Sequence, residues 1–317
     1  MIKVGVAPAS PRSEYRDVAV LLPAYNEEAA VGDTVKAFLR ALPGCTVVVC
    51  NNCSTDETAA AARAAGAQVI DENMPGKGNA VRRLFATVDA NIYVMADADT
   101  TYDADAAREM IAKMQDEHLD MVTGIRVHSD KSAYRRGHVW GNLLFNKLFS
   151  RLFKSATQDV FSGYRVLSGR FARSLPVYST GFEIETEMTA VATILKLSVG
   201  EVPVNYYPRP AGSYSKLNTY QDGFKILRTY IRLIRHFYPK RFYGLVSILL
   251  AVLSISLGAP VVLEYLDTGL VPRLPTAVLA SSIGMLSVFT LMSGLLLESI
   301  AKSRIEQRQL ALLIKEK

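Results

Sequence analysis

The chain has 317 residues, a formal net charge of +6 and a hydrophobic content of 50%, enough for one large domain or two. Its mean hydropathy of +0.15 is high for a soluble protein, and the excess is local, in two uncharged runs at 242–263 and 276–297. The basic excess flanks those runs, which points to anionic lipid and excludes nucleic acid, for which no module is visible.

Residues 1–17 contain no apolar stretch of signal-peptide type and read as an N-terminal extension. Residues 18–23 then form an apolar strand, 27–42 a helix stopped at Pro43-Gly44, 46–50 a second strand, and 56–65 an alanine-rich helix stopped by Gly66. A short strand at 67–71, a helix at 79–86, a strand at 91–96, a helix at 103–117 and a strand at 120–125 follow. This alternation predicts an α/β fold, a mostly parallel sheet with helices on both faces. The loops after successive strands then converge on one sheet edge. They carry Tyr25-Asn26-Glu27-Glu28, Asn51-Asn52-Cys53-Ser54-Thr55-Asp56, Pro75-Gly76-Lys77-Gly78 and Asp97-Ala98-Asp99, a set suited to a nucleotide crevice.

The last of these is the most informative. An apolar strand cannot bury two acids unpaired, so Asp97 and Asp99 belong at its carboxyl end. Side chains two apart share a face, so both acids can reach one hard cation, Mg2+ or Mn2+, that would neutralise a diphosphate. The three cysteines, Cys45, Cys50 and Cys53, lack the second ligand pair a zinc site requires and read as reduced bystanders.

Towards the C-terminus, Lys225, Arg228, Arg232, Arg235 and His236 fall on one helical arc, with apolar residues from Phe224 to Tyr238 opposite. This is the pattern of an amphipathic interfacial helix. Each uncharged run beyond it is long enough to cross a bilayer core. Lys and Arg crowd 205–241 and the tail after 297, whereas the connector 264–275 holds two acids and Arg273. By the positive-inside rule the chain is expected to be a multi-pass protein of the inner (cytoplasmic) membrane with the large N-terminal domain and both termini cytosolic. The expected partition is 18–218 catalytic, 219–241 juxtamembrane, 242–298 a two-helix transmembrane hairpin, through which a homo-oligomer could form, and 299–317 a tail.

The segments LPAYNEE, NNCSTDET, GKGNAVR, ADAD, FSGYR, GFEIETE and RPAGSYSKL, in this order, resemble glycosyltransferase family 2 with a GT-A type fold. Within it they resemble the polyprenyl-phosphate (dolichyl-phosphate-type) hexosyltransferases with two C-terminal membrane helices, over residues 18–297. The resemblance implies a nucleotide-sugar donor, UDP- or GDP-linked, held by Pro23, Ala24, Tyr25, Glu27, Asn51, Asn52, Lys77, Gly78 and Asp97, with Asp99 and Asp97 on the metal. Glycines at 76 and 78 would let backbone N–H groups approach a phosphate or ribose. Two positions depart from the family: Asn51-Asn52-Cys53-Ser54 stands where many relatives read Asp-Asp-Gly-Ser, and Thr101 where many place Gln.

For the acceptor, the resemblance places Arg126 and Arg135 at the lipid phosphate, with Arg209 and Lys216 closing over the site. Arg136, Arg151 and Arg165 follow in the same region. Asp159 is the family's usual candidate for a catalytic base. A phosphate monoester is already largely a dianion at pH 7, however, so an orienting role towards Arg126 or Arg135 is equally open. Glu183, Glu185 and Glu187 open a helix, and Glu183 or Glu185 also faces the site by the family motif. The expected reaction is inverting transfer of a hexosyl group to a polyprenyl phosphate at the cytosolic membrane face. One alternative is a polysaccharide synthase-like enzyme, whose Q-x-x-R-W motif cannot form here because Trp140 follows Gly137-His138-Val139. The other is a catalytically silent nucleotide-sugar-binding membrane protein, which would have no need of the acid pair.

Overall fold

The computed structural model describes residues 4–5, 14–128, 136–153, 157–176, 179–210 and 219–314. Among these residues the chain divides into two compact units, with the boundary between Ile226 and Leu227 and the second unit running to Gln309.

The first unit is built on a seven-stranded sheet. In chain order its strands are β2 (Val18–Ala24), β3 (Thr46–Asn52), β4 (Gln68–Glu72), β6 (Ile92–Met95), β7 (Met121–His128), β8 (Arg165–Ser168) and β9 (Val199–Tyr206), in spatial order β4-β3-β2-β6-β8-β7-β9. A separate short parallel pair joins β1 (Val4–Gly5) to β5 (Val88–Asp89). Val18, Val20 and Leu22 of β2 join a core with Val35 and Phe38 of α1 (Val31–Ala41) and Met110 and Ile111 of α4 (Ala106–Asp116). The alternate residues Ala19 and Leu21 are equally buried, and α3 (Lys77–Thr87) packs against β2 and β3. A strand covered on both faces needs this unbroken apolar run, so the predicted mostly parallel sheet is what forms.

Two features depart from the expected pattern. Helix α1 begins at Val31, not at 27, because the N–H groups of Asn26, Glu27 and Glu28 donate to the side chains of Ser54, Thr58 and Asp56. Strand β8 lies antiparallel between β6 and β7, whereas the other pairings in this sheet are parallel. This insertion carries β7 and β9 away from the β3–β2–β6 half of the sheet. Pro203 sits on β9, which ends the spatial order as an edge strand, where a missing N–H is tolerated.

The remaining helices of this part are α2 (Thr58–Ala64), α5 (Arg136–Phe153), α6 (Gly169–Ser174) and α7 (Ile184–Ile194), and α8 (Thr219–Phe237) follows β9. On α8 the apolar residues split between two faces. Tyr230, Leu233 and Phe237 are buried, while Phe224, Leu227 and Ile231 are 70%, 42% and 45% exposed. Exposed Lys225, Arg228, Arg232 and Arg235 border that outward ridge.

In the second unit, α9 (Pro239–Thr268) and α10 (Leu274–Ile314) are long and apolar enough to cross a membrane. Only 11% and 17% of their most apolar windows are buried, which excludes a core helix of a soluble domain. Ser247 and Ser287 donate to each other's carbonyls at 2.9 Å, and Ser254 donates to the Ala280 carbonyl at 2.7 Å. With Gly258 and Gly284 packed against Ala280 and Ser254, this is the small-residue contact by which helices associate in lipid.

Candidate functional site

The loops after β2, β3 and β6 and the start of α3 surround a cavity of about 380 Å³. Pro23, Ala24, Tyr25, Glu27, Asn52, Lys77, Asp97, Asp99 and Arg209 line it. Cys53 and Phe182, not among the expected residues, line it too.

The acid pair sits where β6 ends, and each acid meets a cation. Lys77 Nζ lies 2.5 Å from Asp97 and 2.6 Å from Glu185. Arg209 lies 2.7 Å from Asp99 and 3.5 Å from Glu27. Asp99 also accepts from the Thr101 hydroxyl at 2.6 Å and the Thr101 N–H at 3.2 Å. Thr100 between them holds φ 59°, a left-handed conformation costly for a β-branched residue and concentrated at functional sites. Burial raises the Asp97 carboxyl, but Lys77, Arg209 and Arg126 outweigh it and hold it below the ordinary carboxylate value. Asp99 goes the other way, pushed up by burial and by Asp97 against Arg209 and Thr101.

Arg209 reaches Asp99 because the Tyr207 N–H donates to the Thr101 carbonyl at 2.8 Å and Tyr206 bridges Tyr102. The end of β9 is thereby tied to the residues just past the acid pair. Of the three acids at the start of α7, Glu185 is the one that contacts Lys77, and its second oxygen is buried without a hydrogen bond. Glu187 instead accepts from the Ser179 N–H.

The glycines have a structural purpose besides the expected phosphate cradle. Gly78 donates its N–H to the Thr180 carbonyl, and a Cβ at Gly78 would lie 2.0 Å from the Ser179 carbonyl oxygen. Gly76, at φ 125°, meets the Thr180 carbonyl oxygen equally closely. Chain-to-chain approach requires these glycines, and Lys77 is the residue between them that faces the cavity. Asn52 is likewise occupied: its amide donates to the Glu72 and Met74 carbonyls and its oxygen accepts from the Gly76 N–H. Asn51 pairs with Asp71 and accepts from the Ser54 N–H. Both asparagines brace loops. Cys53 holds φ 60°, a left-handed conformation that glycine adopts at least cost. Burial pushes the Cys45 and Cys50 thiols up to about 12, so neither is a thiolate at neutral pH.

Beside the cavity, Arg126 on β7 makes a two-pronged ion pair with Asp159, at 2.7 Å and 2.8 Å. The Arg126 guanidinium also lies 5.7 Å from the centre of the Tyr206 ring. Burial alone would raise the Asp159 carboxyl, but Arg126 holds it below its ordinary value. Arg165 lies away from any surface: it is fully buried and donates to the Val160 and Ser162 carbonyls and the Thr189 hydroxyl. Arg135 and Lys216 lie outside the described residues.

Among the described residues no cluster of three or more His, Cys, Asp or Glu side chains is assembled. Two carboxylates at one strand end nevertheless suit Mg2+ or Mn2+, hard cations that take one or two protein acids and complete their shell with phosphate oxygens and water.

Residues 19–174 match the family described as Glycosyl transferase family 2. The chain is 30% identical over 292 residues to Glycosyltransferase AglJ of Haloferax volcanii, an overlap of 92% of this chain and 95% of the relative. It is 28% identical over 218 residues to the Dolichyl-phosphate hexose transferase of the same organism, covering 69% of this chain and 94% of that protein. Among solved structures, glucosyl-3-phosphoglycerate synthase from Mycobacterium tuberculosis in complex with phosphoglyceric acid superposes with a TM-score of 0.57 at 20% identity, over 68% of this chain and 78% of that one. The same enzyme in complex with Mn2+, UDP and glucosyl-3-phosphoglycerate superposes at 0.54 with 22% identity, over 69% and 78%.

Proposed function

The chain belongs to glycosyltransferase family 2, and from that premise we propose that it transfers a hexosyl group from a UDP- or GDP-sugar to a polyprenyl phosphate at the cytosolic face of the membrane. One observation carries the reading. Three acids, Glu27, Asp97 and Asp99, and two basic residues, Lys77 and Arg209, share a cavity of nucleotide size, in a chain that also carries two long apolar helices. The similarity to a relative named for dolichyl phosphate and hexose supports the acceptor class, and the fold neighbour solved with Mn2+ and UDP supports the donor chemistry.

In this reading Asp99, with Asp97, would hold a divalent cation whose charge neutralises the departing diphosphate. Lys77 and Arg209 supply positive charge at the same phosphates. Arg126, held by Asp159, presents its guanidinium to the acceptor phosphate, charge-assisted recognition to which arginine is well suited. An oxygen of that phosphate attacks the anomeric carbon as the bond to the diphosphate breaks, with inversion. The nucleophile arrives largely as a dianion, so no side chain has to take its proton, and the low carboxyl of Asp159 favours the orienting role over the basic one. The outward apolar ridge of α8 with its basic border fits an anionic lipid surface.

The test is to incubate membranes containing the protein with radiolabelled nucleotide-sugars and a polyprenyl phosphate. A labelled lipid is expected from one of the donors, lost in EDTA and restored by Mg2+ or Mn2+. No labelled lipid from any donor would sink the proposal. Orientation is tested with single cysteines: one at Thr268 should react with an impermeant maleimide from outside, and one at Gln307 should not. The reverse pattern would overturn the topology.

A further inference from the structure

Each acid of the Asp97/Asp99 pair already has a cation against it, and each of those cations spans two acids. The arrangement at Asp99 is the more constrained. One of its oxygens takes both Thr101 donors and the other takes Arg209, and only 2% of the residue is exposed. A divalent cation cannot sit on the second oxygen while a guanidinium lies 2.7 Å from it, because the two positive charges would be forced together in a poorly solvated pocket. Arg209 has somewhere else to be: its other nitrogen is already within 3.5 Å of Glu27, which also lines the cavity.

We propose that Arg209 is the resident counter-cation of Asp99, displaced when a divalent cation arrives together with a diphosphate, and that Glu27 is the pivot on which its guanidinium turns to the phosphates. The inference rests on the metal-dependent transfer proposed above. It explains how the acid pair is held without ligand: Lys77 lies against Asp97 and Arg209 against Asp99. A cation bound to an anionic diphosphate brings in little net charge, so carboxylates and bases exchange partners without stranding a charge. The cation alone would leave Arg209 only the one carboxylate it already touches, Glu27, with no diphosphate to turn to. Metal and diphosphate therefore bind synergistically, and part of that coupling belongs to Arg209.

The experiment measures Mn2+ binding to the full-length protein in detergent, by the electron paramagnetic resonance of free Mn2+, with and without UDP or GDP. The wild type is expected to bind Mn2+ weakly alone and much more tightly with the diphosphate. Arg209→Met should bind Mn2+ alone about 10- to 100-fold more tightly than the wild type, the size of a lost contact to a charged group, and its gain from added diphosphate should shrink. Arg209→Lys, which keeps the charge, should stay near the wild type. If Arg209→Met is not recovered folded, Arg209→Gln asks the same question. Unchanged or weaker binding of Mn2+ alone, in a variant whose melting temperature matches the wild type, would overturn the proposal. That result in the variant, beside a wild type that still makes labelled lipid, leaves the transferase reading standing, whereas a wild type without transfer removes the reading itself.

Discussion

The charges proposed for the donor side, which line the cavity, and those proposed for the acceptor side, which lie beside it, handle burial in opposite ways. On the donor side Lys77 and Arg209 each lie between two acids, and the two carboxyls they neutralise are shifted in opposite directions. On the acceptor side Arg126 and Asp159 close on each other through two parallel hydrogen bonds. Separating a buried ion pair costs about 3–5 kcal/mol when one charge is left uncompensated. Where charges have to change partners during a reaction, a second partner within reach removes that cost. Where an anion only has to be recognised, a single fixed partner keeps the guanidinium aimed. In the proposed reaction the contrast separates side chains that exchange partners from one that keeps its partner.

The largest test of this contrast is Asp99→Ala. It removes the acid that would carry the metal, and transfer should fall by about 1000-fold, the several kcal/mol that metal charge stabilisation contributes. The residue of activity should no longer respond to EDTA. Turnover close to the wild type would remove Asp99 from the chemistry and make the donor side an ordinary ion-pair network. Next in size is Arg126→Ala. Loss of a charge-assisted phosphate contact of about 1.5–3 kcal/mol should raise the acceptor KM about 10- to 150-fold. Donor affinity measured by calorimetry should stay unchanged. An unchanged acceptor KM would mean the lipid phosphate is bound elsewhere.

Much of this site is legible in the sequence, for identifiable reasons. The acid pair stood out because an apolar strand ended on it, and the loops after β2, β3 and β6 converge because consecutive parallel strands put their carboxyl ends at one edge. Contacts set by tertiary phase were not readable. Glu183, Glu185 and Glu187 are equivalent in composition, and only the turn of α7 against the tightly approached backbone at 179–180 brings Glu185 to Lys77. The glycines at 76 and 78 looked like a phosphate cradle because glycine signals close approach without naming what approaches. Arg165 belonged to a basic series, yet β8, four residues inserted antiparallel, carries it inside. A strand that short has no periodicity to reveal it. The Thr101 clamp on Asp99 was visible only as a departure from a glutamine, and the exposed ridge of α8 was hidden in an apolar half that proved to have two faces.

The smallest expected effect is that of Asp159→Asn, and it decides what the fixed pair on the acceptor side is for. If Asp159 only aims Arg126, the amide keeps the shape and part of the hydrogen bonding, so the acceptor KM should rise less than in Arg126→Ala while kcat stays near the wild type. If Asp159 were a base, kcat would fall steeply and the loss would persist at alkaline pH. Stability gives an independent reading with a fixed sign. Burial opposes the ionised Asp159 but Arg126 outweighs it, so the folded carboxyl lies below its unfolded value near 3.9. A group depressed on folding contributes stability above its unfolded pKa and loses it as the pH falls through the folded one. The melting temperature of the wild type should therefore exceed that of Asp159→Asn by a constant margin between about pH 5 and 8 and converge on it below about pH 4. A margin that persists undiminished into acid would show that the ion pair is not what Asp159 contributes to the fold.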